Sequence, residues 1–371
     1  MRIAMLGTRG VPARYGGFET AVEEIGQRLA ARGHEVVVYC RGEDRSPDYR
    51  GMRRVHVPMI RGRQIETLSH TLFSVGHLLR NRTEAAIVFN AANAPVLPLL
   101  KALRVPAAVH VDGLEWRRGK WGNAGRQYYL AGERLCVRWA DALIADSRGI
   151  QDYYRNRYQA DTTYLAYGAP VLTRPALQRL AEVDLVPGGY HLAVARLEPE
   201  NQVDVIVRGY LGSGSALPLV VVGSVPYPGP YQRSLHALAD TSGIRMLGGI
   251  WDQDLLDALY AGAATYLHGH SVGGTNPSLL RAMGAAAPVI VYDVSFNREV
   301  VNGNGLYFTD ADSLAAASRE AEAERVLNSK RGRLGREDVE ARFRWDAVAD
   351  GYERLCQDLV AGHQDLVAGR P

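Results

Sequence analysis

The residues best suited to chemistry in this 371-residue sequence are glycines and charged groups placed directly after short apolar runs. The first such place is GTRGVPARYGGFET, residues 7–20, where Gly7 and Gly10 permit a tight turn and Gly16-Gly17 opens a helix. Glycines at a helix N-terminus let a phosphate approach exposed backbone N–H groups, and the helix dipole favours its charge. The dinucleotide fingerprint G-x-G-x-x-G is absent, so simple turn chemistry stays open as the alternative.

An arginine ends an apolar run in the second half of the chain. Arg196 follows the run HLAVA, and the loop EPENQ comes next, at the edge of a parallel sheet where ligands of open α/β folds bind. Its guanidinium can neutralise the diphosphate of a leaving group through charge-assisted hydrogen bonds. A solvent-facing arginine at a strand end is the alternative.

The most specific stretch is HGHSVGGTNPSLLRAMG, residues 268–284. It predicts a glycine loop, then Thr275 or Asn276 as N-cap and Pro277 as the first helical residue. A helix start of this kind directs unpaired N–H groups toward hydroxyl or phosphate oxygens of a ligand. We interpret His268 and His270, at the strand end, as packing or orienting groups and assign them no acid–base role.

A further polar segment, HVDGLEWRRGKWG at residues 110–122, follows the run PAAV. Glu115, Trp116 and Trp121, with the basic residues between them, are suited to gripping an acceptor. His110 and Asp112 lie at the strand end, where either can serve a site or simply support the structure.

The elements that must position these residues alternate between apolar runs and helical patterns, which indicates parallel sheets flanked by helices. Two such series follow one another, so we predict an α/β fold with two Rossmann-like, doubly wound domains facing an inter-domain cleft. We place the domains at 1–168 and 169–345, with a C-terminal helix at 346–371 that packs back on the first domain. The predicted strands are RIAMLG, EVVVYC, AAIVFN, PAAVHVD, DALIADS, HLAVARL, LPLVVVG, IRMLGG, ATYLHGH and APVIVYD.

Composition excludes several classes of protein. With 47% apolar and 22% charged residues, the chain has no run near the roughly 18 apolar residues that a spanning helix needs. The start, MRIAMLG, lacks a signal-peptide core, so we expect a cytoplasmic protein. Cys40, Cys136 and Cys356 are far apart and predict buried thiols rather than a disulfide framework or a zinc site.

Charge is distributed unevenly along the chain. Residues 1–168 hold 25 Lys and Arg against 16 Asp and Glu, a net charge of +9, whereas residues 169–371 carry −6. A basic half suggests an anionic partner, such as the inner face of a membrane, a phosphorylated acceptor or nucleic acid. An ordinary solvated surface is the alternative. If the charge is functional, we expect the basic half to face an anionic acceptor or, through a peripheral contact, a membrane surface, and we expect no nucleic-acid partner.

Together these motifs resemble a known family. YGGFE, DGLEW, ADSRGIQDYY, ARLEPEN, HGHSVGGTNPSLL and FNREV, in this order along nearly the whole chain, are similar to retaining GT-B glycosyltransferases of the family 4 type. Within them the sequence resembles the branch that includes bacterial rhamnosyltransferases. The resemblance implies that the first domain binds the acceptor and the second a nucleotide sugar.

The resemblance also assigns roles to residues. Asp112, with His110 as the alternative, would face the reacting sugar, while Arg196 would stabilise the leaving diphosphate. The implied donor-binding residues are Gly16, Gly17, Arg196, Asn201, Gly273, Gly274, Thr275, Asn276 and Arg281. The implied acceptor-binding residues are Arg9, Tyr15, Glu115 and Trp116.

The implied reaction moves a hexose, L-rhamnose in this branch, from a nucleoside diphosphate sugar to a glycan, lipid-linked or small glycosidic acceptor with retention. No metal and no cofactor besides the nucleotide sugar are expected. One departure stands out: two glutamates usual in the superfamily are replaced by Gly273 and Arg281. Arginine only donates hydrogen bonds where glutamate would accept ribose hydroxyls. A nucleotide-sugar-binding partner that has lost turnover is therefore the alternative.

Overall fold

The computed structural model of the protein describes residues 1–13, 16–42, 44–62, 65–111, 113–119, 121–225, 229–240 and 244–368. The chain divides into two compact units. Unit 1 holds Met1–Tyr167 with the C-terminal segment from Trp345, and unit 2 holds Gly168–Arg344. Within the described residues, no helix is long and apolar enough to cross a membrane.

Unit 1 is built on a mostly parallel sheet. Its strands are β1 (Arg2–Leu6), β2 (Glu35–Cys40), β3 (Asp48–Tyr49), β4 (Met52–His56), β5 (Ala85–Phe89), β6 (Ala107–His110), β7 (Ala142–Ala145) and β8 (Thr163–Tyr164). The described strands lie in the order β3-β4-β2-β1-β5-β6-β7-β8, and β3 runs antiparallel to β4. Because the order reverses between β1 and β5, the loops after these two strands flank a topological switch point, where open α/β sheets bind ligands.

The helices of unit 1 bury one face each against this sheet. They are α1 (Gly17–Ala31), α2 (Glu66–Leu78), α3 (Leu97–Ala102), α4 (Asn123–Trp139) and α5 (Arg148–Tyr158), with 3-10 turns at Ala91–Val96 and Glu115–Arg117. In α1 the apolar face formed by Ala21, Val22, Ile25 and Leu29 is fully buried. Gly33 takes a φ of +87° just after that helix, in the left-handed region where a glycine commonly ends a helix.

Unit 2 is a second parallel sheet. Its strands are β9 (His191–Val194), β10 (Leu219–Val222), β11 (Arg245–Gly248), β12 (Thr265–His268), β13 (Val289–Tyr292) and β14 (Leu306–Phe308). The described strands lie in the order β11-β10-β9-β12-β13-β14, so the switch point falls between β9 and β12. The helices are α6 (Val203–Ser213), α7 (Pro230–Asp240), α8 (Gln253–Gly262), α9 (Pro277–Gly284), α10 (Ser295–Val301), α11 (Ala311–Ala323) and α12 (Arg325–Arg342), with 3-10 turns at Leu177–Val183 and Pro199–Asn201.

The last helix, α13 (Trp345–Ala368), belongs to unit 1, where it packs against α1. Its buried side chains include Tyr352 and Cys356. Ion pairs border this packing: Asp346 binds Arg28 at 2.8 Å, and Glu353 binds Arg32 at 2.7 Å.

The predicted α/β fold with two doubly wound parallel sheets is confirmed, and each predicted apolar run contains a strand. Sequence reasoning missed β3, β4, β8 and β14. In β4, MRRVH, two adjacent arginines interrupt the apolar pattern that would indicate a buried strand. Arg54 is nevertheless buried, because its charge is paired with Asp44 at 2.9 Å. The remaining three are only two or three residues long.

Candidate active site

Arg196 lies at the switch point of unit 2, two residues after β9. Its side chain is 37% exposed, and the carboxylate found near it among the described residues is that of Glu198, 3.7 Å away. At that distance the pair is loose, since a good Arg–carboxylate contact is below about 3 Å. The guanidinium is therefore accessible to an anion at the edge where ligands of this fold class bind.

Asn201 stabilises the loop that contains Arg196. Its side chain is 1% exposed, and its amide donates a 2.7 Å hydrogen bond to the carbonyl of Arg196. Predicted as a donor-binding residue, Asn201 is placed here as a positioning residue, because its buried amide is committed to the backbone. A direct contact between Asn201 and a donor stays a prediction.

The loops after β9 and β12 are joined by hydrogen bonds and close packing. The backbone N–H and the hydroxyl of Ser271 each donate to the carbonyl of Glu200, both at 2.9 Å. Gly269 packs so closely on the carbonyl of Asn201 that a Cβ there would overlap it. The structure thus brings Arg196 and Asn201 together with the glycine loop that contains Gly273 and Gly274.

The start of α9 follows the predicted pattern in part. Asn276 is the N-cap, and its side chain accepts a 3.0 Å hydrogen bond from the N–H of Ser278. Pro277 occupies the first helical position, as predicted. Fewer N–H groups are open than expected, since proline has none and Asn276 engages that of Ser278. Thr275 is buried, and Gly273 takes a φ of +149° that favours glycine.

The histidines beside this loop are packing groups in the structure. His268 and His270 stack with ring centroids 4.4 Å apart, and Nδ1 of His268 lies 3.4 Å from the hydroxyl of Tyr266. Burial lowers the pKa of His268 to about 3, so the ring is neutral near pH 7. A neutral, enclosed imidazole suits the orienting role predicted for it.

Arg281 has a partner that the sequence did not indicate. Its Nε lies 2.5 Å from Oδ1 of Asp257 on α8, and its second contact reaches Oδ2 at 2.9 Å. Both side chains are mostly buried, with 21% and 16% exposure. In this structure Arg281 is thus engaged by a bidentate ion pair, and a direct contact with a donor stays a prediction.

Asn297, in the FNREV segment, is a supporting residue that sequence reasoning did not single out. It is fully buried on α10, and its amide donates to the carbonyls of His270 at 3.0 Å and Tyr292 at 2.8 Å. It therefore ties the loop after β12 to the end of β13. The FNREV motif could have drawn attention to Asn297. Its role was not predictable, because the carbonyl of His270 that it binds is 27 residues away.

In unit 1 the glycine turn lies at the other switch point. Gly7 and Gly10 take φ values of +98° and +90°, and a Cβ on Gly7 would overlap the carbonyl of Phe89. Buried Asn93 donates to the carbonyls of Gly7 at 3.2 Å and Phe89 at 2.8 Å. Asn93 was also missed, and it joins the loops after β1 and β5.

The N-terminus of α1 is already partly occupied. Gly16 is its N-cap without a side-chain cap, as a phosphate site would need. However, Oε1 of Glu19 accepts the N–H of Arg9 at 3.1 Å, and Oε2 lies beside Gly16. Because this carboxylate would repel a phosphate, donor binding by Gly16 and Gly17 requires Glu19 to move and stays a prediction.

His110 is enclosed by aromatic rings. Its ring centroid lies 5.1 Å from that of Phe18, and 5.8 Å from those of both Phe89 and Tyr167. Burial lowers its pKa to about 3, so it is neutral near pH 7. As a predicted alternative to Asp112 it is 1% exposed, which favours a supporting role in this structure.

The predicted acceptor residues are described only in part. Tyr15 and Asp112 lie outside the described residues. Glu115 is buried and pairs with Arg118 at 2.6 Å, while Trp116 carries the guanidinium of Arg117 5.2 Å from its ring centroid. The described part of the chain contains no cluster of three His, Cys, Asp or Glu side chains that could hold a metal ion.

Comparisons with known proteins agree with this two-part organisation. Residues 16–168 match the family model described as Glycosyl transferase 4-like domain, and residues 189–322 match Glycosyl transferases group 1. The chain carries two glycosyltransferase domains. A GDP-mannose-dependent alpha-(1-6)-phosphatidylinositol monomannoside mannosyltransferase of Mycobacterium tuberculosis is 25% identical over 94% of this chain and 96% of that protein. O-antigen chain mannosyltransferase B of Escherichia coli is 30% identical over 43% of this chain and 45% of its own length.

Solved structures show that the fold of these glycosyltransferase domains is GT-B. Sucrose-phosphate synthase of Thermosynechococcus elongatus has a TM-score of 0.82 and 21% identity, covering 97% of this chain and 99% of that one. Anabaena HepE in complex with UDP has a TM-score of 0.74 and 14% identity, covering 96% and 100%. The curated relatives named above are mannosyltransferases, so the predicted rhamnosyl branch is not confirmed by them.

Proposed function

We propose that this glycosyltransferase moves a hexose from a nucleoside diphosphate sugar to a glycan, lipid-linked or small glycosidic acceptor with retention of anomeric configuration. The observation that carries the proposal is the accessible guanidinium of Arg196 at the β9/β12 switch point, with its loop fixed by Asn201 and Ser271. A positive charge on a fixed loop at this edge suits a diphosphate. The names of relatives, GDP-mannose-dependent in one case and in complex with UDP in another, support a nucleotide sugar.

In this mechanism the bond between the anomeric carbon and the diphosphate oxygen breaks first. The acceptor hydroxyl then attacks the same face of the sugar, and its proton passes to the departing diphosphate. Arg196 stabilises the negative charge that develops on the leaving diphosphate, in the manner of preorganised electrostatic catalysis. The glycine loop with Gly273 and Gly274 holds the sugar close enough for reaction. No protein nucleophile and no metal are required in this scheme, in which Asp112 or His110 would orient the reacting sugar.

Two donors deserve the first comparison. Motif resemblance favours dTDP-L-rhamnose, whereas the named relatives favour GDP-mannose. A screen of both, together with UDP-sugars, by thermal stabilisation would rank them, since ligand at ~100 times its Kd adds about 2.7 kcal/mol. Stabilisation by a donor and its free nucleoside diphosphate alike would identify the base.

The decisive experiment replaces Arg196. Arg196→Ala should weaken binding of the nucleoside diphosphate and lower transfer by about tenfold or more, because a charge-assisted contact to a leaving group is lost. Arg196→Lys, which keeps the charge but not the planar fork, should be intermediate. Arg208→Ala is the matched control, since Arg208 lies on α6 of the same unit with a 64% exposed side chain. Equal affinity and transfer in wild type and Arg196→Ala would refute the proposal.

A second candidate function is a nucleotide-sugar-binding partner without turnover. The Arg281–Asp257 pair favours it, because a guanidinium held by Asp257 stands at the position where the family resemblance implies a ribose-binding glutamate. Calorimetric binding of a donor with no transfer to any glycan or lipid acceptor, and no hydrolysis, would support this candidate over the transferase.

A further inference from the structure

Helix α2 of unit 1, together with the residues that cap it, Ile65 and Leu79, exposes a row of apolar side chains. Ile65, Leu72, Phe73 and Leu79 are 49%, 48%, 41% and 60% exposed. At 100° per residue these positions, with Gly76, fall on one side of the helix. The opposite side, which includes Val75 and Leu78, is buried in the core of the unit. Ile60, in the preceding loop, extends the exposed row with 54% exposure.

Basic side chains flank this row. Arg61, Arg80 and Arg82 are exposed, and none of them forms an ion pair with another described residue. Glu66 is the sole acid in the sequence from Val57 to Thr83, and it is engaged by Arg41 at 3.0 Å. The next helix on the same core, α3, adds exposed Leu99 and Lys101, and exposed Arg104 follows its end. Apolar groups edged by uncompensated cations are typical of a surface that meets anionic lipid.

Not all of the basic residues of the first half contribute. Arg54 and Arg118 are buried in ion pairs. The C-terminal segment from Trp345 adds five acids and two basic residues, which brings unit 1 to a net charge of +6. Three of those acids pair with α1, at Arg28 and Arg32. The acids of the C-terminal segment thus compensate α1, whereas Arg61, Arg80 and Arg82 beside α2 have no ion pair with a described residue.

Helix α2 is linked by hydrogen bonds to the glycine turn of the candidate site. The hydroxyl of Thr71 donates to Oδ1 of Asn93 at 2.8 Å, and the amide of Asn93 donates to the carbonyl of Gly7. Arg41, which binds Glu66 at the start of α2, also donates its N–H to the carbonyl of Arg9 at 3.1 Å. The exposed row therefore begins at the carboxyl edge of the sheet, next to that turn.

We propose that this surface, named the α2 surface and made of Ile60, Ile65, Leu72, Phe73 and Leu79 with Arg61, Arg80 and Arg82, docks on an anionic phospholipid bilayer. The apolar side chains enter the interface, and each arginine near the anionic headgroups strengthens binding roughly fivefold. Docking would bring a lipid-linked acceptor to the carboxyl edge of unit 1. That last step rests on the proposed function, whereas docking does not.

Vesicle sedimentation tests the docking with the full-length protein and no sugar substrate. The wild type should sediment with vesicles of phosphatidylcholine mixed with phosphatidylglycerol, less at high salt and least with phosphatidylcholine alone. Leu72→Glu/Phe73→Glu should lower the partition coefficient by about tenfold or more. Arg80→Glu/Arg82→Glu should weaken binding at low salt and reduce its salt dependence, since Arg61 remains. The control Val326→Glu/Leu327→Glu, on exposed α12 of unit 2, should bind like the wild type.

Several results would overturn the proposal: no sedimentation of the wild type at low salt, equal loss in the α12 control, or undiminished binding by both α2 variants. Leu79→Glu, at the end of the helix, provides a second apolar variant if the double one unfolds. Transfer to a water-soluble acceptor should be the same in Leu72→Glu/Phe73→Glu and the wild type. Absence of any transfer would refute the proposed function and leave the sedimentation result standing.

Discussion

At the scale of single residues, Arg281 is held by a carboxylate of this chain. Arg281 and Asp257 form a bidentate ion pair, at 2.5 and 2.9 Å, between α9 and α8. Restoring glutamate at position 281 alone would place two carboxylates against each other, and like charges at such distances are destabilising. A test of donor binding at this position must therefore change both partners.

We predict that Arg281→Glu lowers the free energy of unfolding of the protein by about 1–3 kcal/mol, because a mostly buried charge loses its partner and gains a repulsive one. The swapped pair Arg281→Glu/Asp257→Arg should recover at least half of that loss. Urea unfolding of the wild type, both single variants and the swap measures this coupling. An Arg281→Glu variant as stable as the wild type would show that the pair does not form in solution.

The same swap tests the ribose hypothesis. If a carboxylate at position 281 accepts ribose hydroxyls, the swapped protein should bind a nucleoside diphosphate sugar more tightly than the wild type, and a 2′-deoxyribose donor should gain less. Calorimetry with paired ribose and deoxyribose diphosphates distinguishes the two. Unchanged affinity for both ligands would remove Arg281 from the donor site.

At the scale of elements, the loops at each switch point are fixed by a buried asparagine. Asn297 holds the loop after β12, and Asn93 holds the turn after β1. In each case one amide donates to two carbonyls, from two different segments of chain. The accessible groups of the candidate site thus rest on loops that fully buried amides hold in place.

We predict that Asn297→Ala destabilises the protein by about 1–3 kcal/mol, since the carbonyls of His270 and Tyr292 lose their shared buried donor. Asn297→Asp should be at least as harmful, because an ionised carboxylate only accepts hydrogen bonds. Urea unfolding followed by circular dichroism provides the measurement. Arg298→Ala, which removes an exposed ion pair on the same helix, is the control and should change stability little. Stability losses of equal size in Asn297→Ala and Arg298→Ala would contradict the role of Asn297.

Elements of this fold are predictable from sequence to the extent that their signals are local. Buried parallel strands appear as apolar runs, and Gly33 and Asn276 mark a helix end and a helix start by their own chemistry. The strand β4 was not predicted, because the buried Arg54 has its ion-pair partner, Asp44, outside the strand. The role of Asn93 and the partner of Arg281 were not predicted for a similar reason. Gly7 is 86 residues from Asn93, and Asp257 is 24 residues from Arg281.

At the scale of the whole molecule, each unit buries histidines that are neutral when folded. Burial lowers the pKa of His70 to about 4 and of His110 to about 3 in unit 1, and that of His268 to about 3 in unit 2. In the unfolded chain a histidine titrates near 6.5. Between these values the unfolded chain binds more protons than the folded one, so stability decreases as the pH falls.

We predict that both units lose stability on acidification between about pH 6.5 and about pH 4, with each buried histidine contributing a slope that approaches ~1.4 kcal/mol per pH unit. Glu133 opposes the trend in unit 1, because burial raises the pKa of its carboxyl and favours its protonation in the folded state. Unit 2 should therefore show the steeper loss per buried histidine. Hydrogen exchange of peptides from each unit, measured across this range, separates the two.

Substitution of His268 isolates its part of the slope. His268→Gln removes the titrating group, so amide protection in unit 2 should depend less on pH, while unit 1 keeps the behaviour of the wild type. The variant will be less stable near pH 7, where the neutral ring packs on His270. The two proteins should converge on acidification, because only the wild type has an imidazole here that binds a proton when the chain unfolds. His236→Gln, at a half-buried position on α7, is the matched control for the loss of a histidine side chain in the same unit. A slope in unit 2 that is the same in His268→Gln and the wild type would mean that His268 titrates in the folded protein as it does in the unfolded chain, and that its site is open to water.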